Sequence, residues 1–526
     1  MRLKKFTAIF CAAALLLSGC TRIPVKQISS SDSAQETAEP TDEPYFAEVS
    51  AKEYEINRTD VSVKLNAEGG VFEGNIRTDG EYDGNGYIVL DEGMTFKHIA
   101  SVDSAQHYRM VIAAHSYGGA VIRLKLSNES AGTYYVTASE SAAFELFSVD
   151  NLYLPAGPSV IELEVISGSA ALDYILIESS DRVKGDCYEI SGKMAGSESS
   201  VAAIGLMRYL CDTYGVSILT SQNVTPGTNA EIDMIYSETG RYPAIRTGEL
   251  VYSTSVEESE LETARKELDA ALEWGESGGI VSFMWHWSAP EKGGVFTSDT
   301  VFLLENAVTE KTISVYDEAG LDRLLANGEI TKECRALMRD IDEIAKALAE
   351  FKNANIPVIF QPIPFGETSL YWWGGNSAYY KWLWQLIFDR LNEYHRLNNI
   401  IYVWNGSSAE FYPGAEQCDI IGQSIYEQSP ASFAGRFTAL AQLCGEVKKP
   451  MAVTDCDEIP SPDFMRRDYA MWLWFSAGSG ECVISADGTL SEKYTSWQRL
   501  YDSYNHKLTI TRDELPKFAD YAFEGD

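Results

Sequence analysis

A (β/α)8 TIM barrel preceded by an all-β sandwich of the jelly-roll kind is the α/β architecture that this sequence predicts, on three observations. The chain has 526 residues, more than one ordinary domain needs. Residues 46–180 alternate apolar and polar in short runs broken by Gly and Asn, the period of half-buried strands. From residue 185 to 515 the pattern changes to eight short apolar runs separated by stretches of helical periodicity.

The chain opens with Arg2, Lys4 and Lys5 ahead of the apolar run Phe6 to Leu17, long enough for a secretory signal and short for a membrane span. Leu17-Ser-Gly-Cys20 then resembles the lipobox of bacterial lipoproteins. That resemblance makes residues 1–19 a lipoprotein signal peptide and Cys20 the lipidated residue, with the protein held on the extracellular face of a bacterial cell membrane. Residues 20–45 are rich in Ser, Thr, Gln, Asp, Glu and Pro and cannot bury enough apolar surface to fold, so they read as a disordered tether.

In the sandwich segment the runs Tyr108 to Ala114, Ala120 to Leu126, Gly132 to Ala138, Val160 to Val165 and Leu172 to Ile177 are the clearest strands. The order of features, from Glu55 through Gly84-Asn-Gly-Tyr87 and Leu154-Pro-Ala-Gly157 to Leu172-Asp-Tyr-Ile175, resembles carbohydrate-binding modules of family 35. In those modules an early acidic residue and a late Asp help to hold a structural calcium, which implies Glu55 and Asp173 as metal ligands here. A generic jelly-roll spacer is the alternative. All eleven tryptophans lie between Trp274 and Trp497, so only Tyr and Phe are left in this segment to stack on a sugar ring.

The eight strands of the barrel are expected at Val216 to Thr220, Tyr242 to Arg246, Gly279 to Trp285, Pro357 to Pro362, Ile400 to Trp404, Asp419 to Ile425, Pro450 to Asp455 and Glu481 to Ser485. Between the third and the fourth, Cys334, Leu337, Ile341, Ile344, Leu348 and Phe351 recur at spacings of three and four, one buried helical stripe. A barrel of this kind carries its site at the C-terminal ends of its strands. The stretch Ile356 to Gly375 has the matching form: an apolar run, two prolines that stop it, then a carboxylate and an aromatic pair.

Gln361-Pro-Ile-Pro-Phe-Gly-Glu-Thr-Ser-Leu-Tyr-Trp-Trp-Gly374 resembles the acid/base segment of glycoside hydrolase family 26, Arg-Pro-Leu-His-Glu-Met-Asn-Gly-Gly-Trp-Phe-Trp-Trp-Gly. Four further segments resemble the same family: Ser237 to Ile245, Gly278 to Pro290 with its Trp285-His286, Asp419 to Tyr426, and Lys449 to Asp455. The resemblance implies endo-acting hydrolysis of β-1,4-mannan or a related β-glycan by a pair of carboxyl groups. In a retaining enzyme the two stand about 5–5.5 Å apart, one protonating the leaving oxygen and the other attacking the anomeric carbon. Here the family's proton donor falls on Phe365 and its nucleophilic Glu on Asp455, one methylene shorter. Glu367, two residues past Phe365, is a candidate displaced acid, and a solvated rim carboxylate is its other reading. Asp457 and Glu458 are further candidates on the seventh strand. His286, Trp285, Trp372, Trp373, Tyr426 and Trp404 fall at or just beyond strand ends, where rings can stack on sugar faces. Two function classes follow: a divergent hydrolase, or a catalytically inactive glycan-binding protein that keeps the aromatic cleft.

The net charge of −35 argues against a nucleic-acid partner, since no excess of Lys and Arg is present to neutralise phosphates. Once the leader is set aside, Cys187, Cys211, Cys334, Cys418, Cys444, Cys456 and Cys482 form an odd, scattered set with no zinc spacing and no disulfide framework. No cofactor is expected for the barrel, and a monomer is expected.

Overall fold

The computed structural model describes residues 61–522 apart from 142, 181–184, 197, 251–257, 291–292 and 427–431. The expected signal peptide, tether, Cys20 and Glu55 therefore lie outside the described residues.

The β-rich part has nine strands: β1 (Ser62–Asn66), β2 (Val71–Phe72), β3 (Ile88–Asp91), β4 (Thr95–Val102), β5 (Gln106–His115), β6 (Ala120–Leu126), β7 (Glu129–Val136), β8 (Glu145–Leu154) and β9 (Gly157–Ser179). Period-two patterning sets their faces. In β6 the residues Ala120, Ile122, Leu124 and Leu126 are buried, while Val121, Arg123 and Lys125 stand on the other side. The 23-residue β9 belongs to both layers. Its first half pairs antiparallel with β4 and β6, and its second half with β1, β3 and β5. The change of layer falls at Gly168, whose φ is +81° and where a Cβ would come within 2.3 Å of Gly119 O. Only glycine fits both requirements.

The second part is a closed parallel barrel of eight strands: β10 (Ile218–Asn223), β11 (Ile245–Glu249), β12 (Ile280–Trp285), β13 (Val358–Pro362), β14 (Ile400–Asn405), β15 (Ile420–Ile425), β16 (Met451–Cys456) and β17 (Trp474–Ala477). Each pairs in parallel with the next, and β10 closes the ring by pairing with both β11 and β17. A short strand, β18 (Thr509–Ile510), pairs outside with β10. Every residue of β10, β12, β13, β14 and β16 is buried, as continuous apolar runs in a helix-covered parallel sheet should be. The helix Lys332–Asn353 starts at a Thr331 cap, whose side chain accepts from Cys334 N, and buries the predicted stripe from Cys334 to Phe351.

One strand is not where the sequence placed it. The eighth is Trp474–Ala477, fully buried, and not Glu481 to Ser485. Gly478 ends it, and Gly480–Cys482 forms a 3-10 turn in the segment that had been expected as strand. Trp474 thus belongs to the sheet itself. Trp382 and Trp384 lie on the covering helix Ser377–Asp389, donating to the carbonyls of Thr309 and Gln417.

The sandwich meets the barrel around Asp468. Asn151 Nδ2 donates to Asp468 O at 2.8 Å, and His107 Nε2 lies 3.5 Å from its carboxylate. A cavity of about 400 Å³ opens beside this contact, lined by Tyr134, Asn151, Phe433, Arg467 and Asp468 among others.

Candidate active site

The C-terminal ends of the strands bring together Asn223 of β10, Glu249 of β11, His286 just after β12, Phe365 three residues after β13, Asn405 of β14, Tyr426 just after β15 and Asp455 of β16. Asp455 is 8% exposed, and its Oδ2 accepts a 2.6 Å hydrogen bond from the Tyr426 hydroxyl. Burial pushes its carboxyl up to about 6, against the opposite pull of Tyr426, His286 and Asn223; Asp457 adds to the rise. A Cβ on Gly478 would come within 3.2 Å of Asp455 Oδ1, so glycine there leaves the carboxylate its room. Beneath it runs a polar floor: Asn405 Nδ2 donates to Ser424 Oγ and Thr454 Oγ1, and Asn223 accepts from Ser476 while donating to Thr454 O. These amides hold the ends of β10, β14, β15, β16 and β17 in register.

Phe365 occupies the mouth on the opposite side. Its φ is +60°, and that of Ile363 is +41°, both in the left-handed region, which costs a β-branched or aromatic residue of order 1–3 kcal/mol. The Phe365 amide donates to Asn405 O at 3.0 Å, and the Trp373 indole donates to Pro364 O at 2.8 Å, which together hold the bend. The Phe365 ring lies nearly parallel to His286, at 6.5 Å and 16°, and to Tyr371, at 5.7 Å and 11°. Tyr371 stacks in turn on Trp373 at 4.8 Å. Phe365 is thus one ring in an aromatic row.

The structure also shows where each of the other sequence candidates stands. Glu367 Oε1 accepts from the amides of Ser407 and Ser408, which ties the loop after β13 to the loop after β14. Trp372 and Trp373, expected as sugar platforms, are 5% and 0% exposed. They build the loop, with Trp372 Nε1 donating to Trp287 O and its ring edge-on to Trp287 and Phe302. Trp285 is likewise fully buried, stacked on Trp287 at 4.2 Å, and Trp404 is fully buried against Tyr412. These four rings have no face open to a ligand, because the barrel interior and the loop after β13 use both sides of them. Tyr426 is exposed, and His286 and Phe365 border the mouth. Asp457 accepts from the Glu458 amide at 2.8 Å.

Glu249 is a residue that the sequence reading missed. Its Oε1 lies 3.2 Å from His286 Nδ1, with the Glu249 side chain 34% exposed. Ending the second strand at Arg246 left Glu249 in a presumed loop. The strand runs three residues further, and that puts the carboxylate at a C-terminal strand end. Below it Arg246 and Glu267 form a fully buried bidentate ion pair, with contacts of 2.5 and 3.0 Å. A Cβ on Gly248 would come within 1.7 Å of Glu267 Oε1, so glycine is required beside that pair.

In the sandwich, both oxygens of Asp173 accept from Asp83 N at 3.0 Å. Asn66 Oδ1 and Glu68 Oε2 nearby are buried without a hydrogen-bond partner, hard oxygen donors of the kind calcium takes. Among the described residues no group of three His, Cys, Asp or Glu side chains is arranged to hold a metal ion.

An eight-stranded parallel barrel whose strand ends converge on a buried carboxylate held by a tyrosine, beside aromatic rings, is the frame of a barrel-type glycoside hydrolase. Residues 196–514 match the model of glycosyl hydrolase family 26, and the chain belongs to that family. A mannan endo-1,4-beta-mannosidase of Thermothelomyces thermophilus is 28% identical over 446 residues, covering 84% of this chain and 87% of that protein. The mannan endo-1,4-beta-mannosidase B of a Piromyces species is 26% identical over 461 residues, covering 84% and 75%. The solved GH26-CBM35 beta-(1,4)-mannanase of Podospora anserina is 25% identical with a TM-score of 0.56, covering 88% of this chain and all (100%) of that one.

Proposed function

We propose that the barrel mouth binds β-1,4-mannan or a closely related β-glycan and cleaves it internally, with Asp455 as the carboxylate that acts at the anomeric carbon. The observation that carries this reading is the Asp455–Tyr426 pair: a carboxylate aimed into the mouth and fixed by a phenol hydroxyl at 2.6 Å. Relatives that cover 84% of the chain are mannan endo-1,4-beta-mannosidases, which supports the choice of polymer. Phe365 favours a second reading, in which the protein captures the glycan without turning it over, since a phenyl ring can stack on sugar but cannot protonate a leaving oxygen.

Release of reducing ends from mannan, glucomannan and xylan, compared between the parent and Asp455→Asn, tests the first reading. Mannan hydrolysis lost in the variant supports it. Mannan binding by affinity electrophoresis with no release from any polymer gives the second, and no binding at all overturns both.

The same reading makes the sandwich a family 35-like carbohydrate-binding module that delivers the barrel to its polymer, and Cys20 a lipid anchor on the outer face of the membrane. The domain composition of the Podospora relative supports the module. A structural calcium in it would draw on Asp173, Glu68 and Asn66, together with Glu55 of the undescribed segment. Calcium would supply rigidity there and no chemistry at the barrel.

A further inference from the structure

If the mouth hydrolyses mannan, as proposed above, the proton that residue 365 cannot deliver has to come from elsewhere. Glu367 is turned toward the Ser407 and Ser408 amides. A different group borders the phenyl ring: the His286 imidazole, 6.5 Å away and nearly parallel to it. Glu249 Oε1 sits at 3.2 Å from its Nδ1. Tyr371 flanks both rings, 6.1 Å from His286 and 5.7 Å from Phe365. The imidazole beside residue 365 thus has a carboxylate at its other end.

We infer that His286, oriented by Glu249, is the proton donor of this barrel, a carboxylate–imidazole pair on β11 and β12 having taken over from the missing acid on β13. A carboxylate 3.2 Å from Nδ1 fixes the ring, and Nε2 is the atom that gives the proton. In the first step that proton passes to the glycosidic oxygen as the bond between C1 and that oxygen breaks, the bonding pair going to the oxygen. An Asp455 oxygen forms the new bond to C1. In the second step a water oxygen bonds to C1, the Asp455–C1 bond breaks, and the now neutral imidazole takes the proton from the water. The pair returns to its starting state, and one water has been consumed for each bond cleaved. The charged and titratable groups facing His286 are Glu249 from β11, Asp455 from β16 and Tyr371 from the loop after β13. Glu249 acts through His286 and is a positioning residue.

Leaving-group dependence separates this role from sugar binding. The full chain and its Glu249→Gln and His286→Gln variants are assayed on mannohexaose, whose leaving group needs a proton, and on 2,4-dinitrophenyl β-mannobioside, whose leaving group does not. Melting curves confirm that each variant is folded. The expected result is a loss of about 10²–10⁴-fold in kcat/KM on mannohexaose for His286→Gln, a smaller loss for Glu249→Gln, and a change below about fivefold on the aryl substrate. Adding Phe365→Glu to His286→Gln should recover mannohexaose cleavage. Equal losses on both substrates would make His286 a binding residue and overturn the inference alone. So would a parent that cleaves mannohexaose with both variants unimpaired, or a parent that cleaves the aryl substrate only. A parent inert on both substrates overturns the hydrolytic reading as well.

Discussion

The Tyr426 hydroxyl donates to Asp455 Oδ2 at 2.6 Å, linking the residue that follows β15 to the penultimate residue of the neighbouring strand β16. A phenol in that position orients the carboxylate and leaves one oxygen to act. Tyr426→Phe is expected to lower kcat on mannan by about 10–100-fold with little change in KM, since the interaction lost bears on the reacting group. Steady-state kinetics on mannohexaose check this.

Asp455 carries opposite costs for function and stability. Its pKa rises from 3.8 to about 6 on folding, so the folded state holds a proton that the unfolded chain gives up between those values. Stability therefore falls as pH rises through the window from about 4 to 6 and stays reduced above it, by about 1–3 kcal/mol for this group. Asp455→Asn should abolish mannan cleavage and raise the melting temperature at pH 7, with the gain vanishing below pH 4. Calorimetry at the two pH values measures it. In the parent, kcat/KM should climb with pH on an acid limb near 6, where the carboxylate becomes charged.

Glu367 is expected to matter for the loop and not for proton delivery. Glu367→Ala removes the acceptor shared by the Ser407 and Ser408 amides, a loss of about 1–3 kcal/mol. Azide should not restore activity to this variant, whereas an acid-deficient enzyme would respond to it. Thermal unfolding and azide titration distinguish the two roles.

The Arg246–Glu267 pair gives a prediction remote from the substrate. Arg246→Met strands a buried carboxylate and should cost about 3–5 kcal/mol, while Arg246→Met combined with Glu267→Met should recover most of it. Urea unfolding of the two variants provides the comparison.

Much of this arrangement is legible in the amino-acid order because parallel strands buried on both faces read as short apolar runs. Seven of the barrel strands overlap their predicted runs for that reason. The eighth escaped: the apolar residues around Val483 imitated a strand, and the real one, Trp474–Ala477, is only four residues long. Phe365 was singled out by the resemblance anchored on Pro362 and Trp372-Trp373-Gly374, and Asp455 by that of Lys449 to Asp455; both stand at or just past C-terminal strand ends. Ring burial did not follow, because a tryptophan beside a glycine pair looks the same in sequence whether its face meets solvent or a second indole. Glu249 was hidden by three residues of strand length, Thr247, Gly248 and Glu249 itself, the last two of types depleted in strands.

Because one continuous strand, β9, serves both layers of the sandwich, its residue count is locked in a way that no loop's is. A single insertion near Gly168 would invert inside and outside along one whole half while leaving the other half correct. Across descendants of this gene, length variation should therefore gather in the connections between the other strands and avoid Gly157–Ser179, a signature that can be sought in genomes without purifying anything.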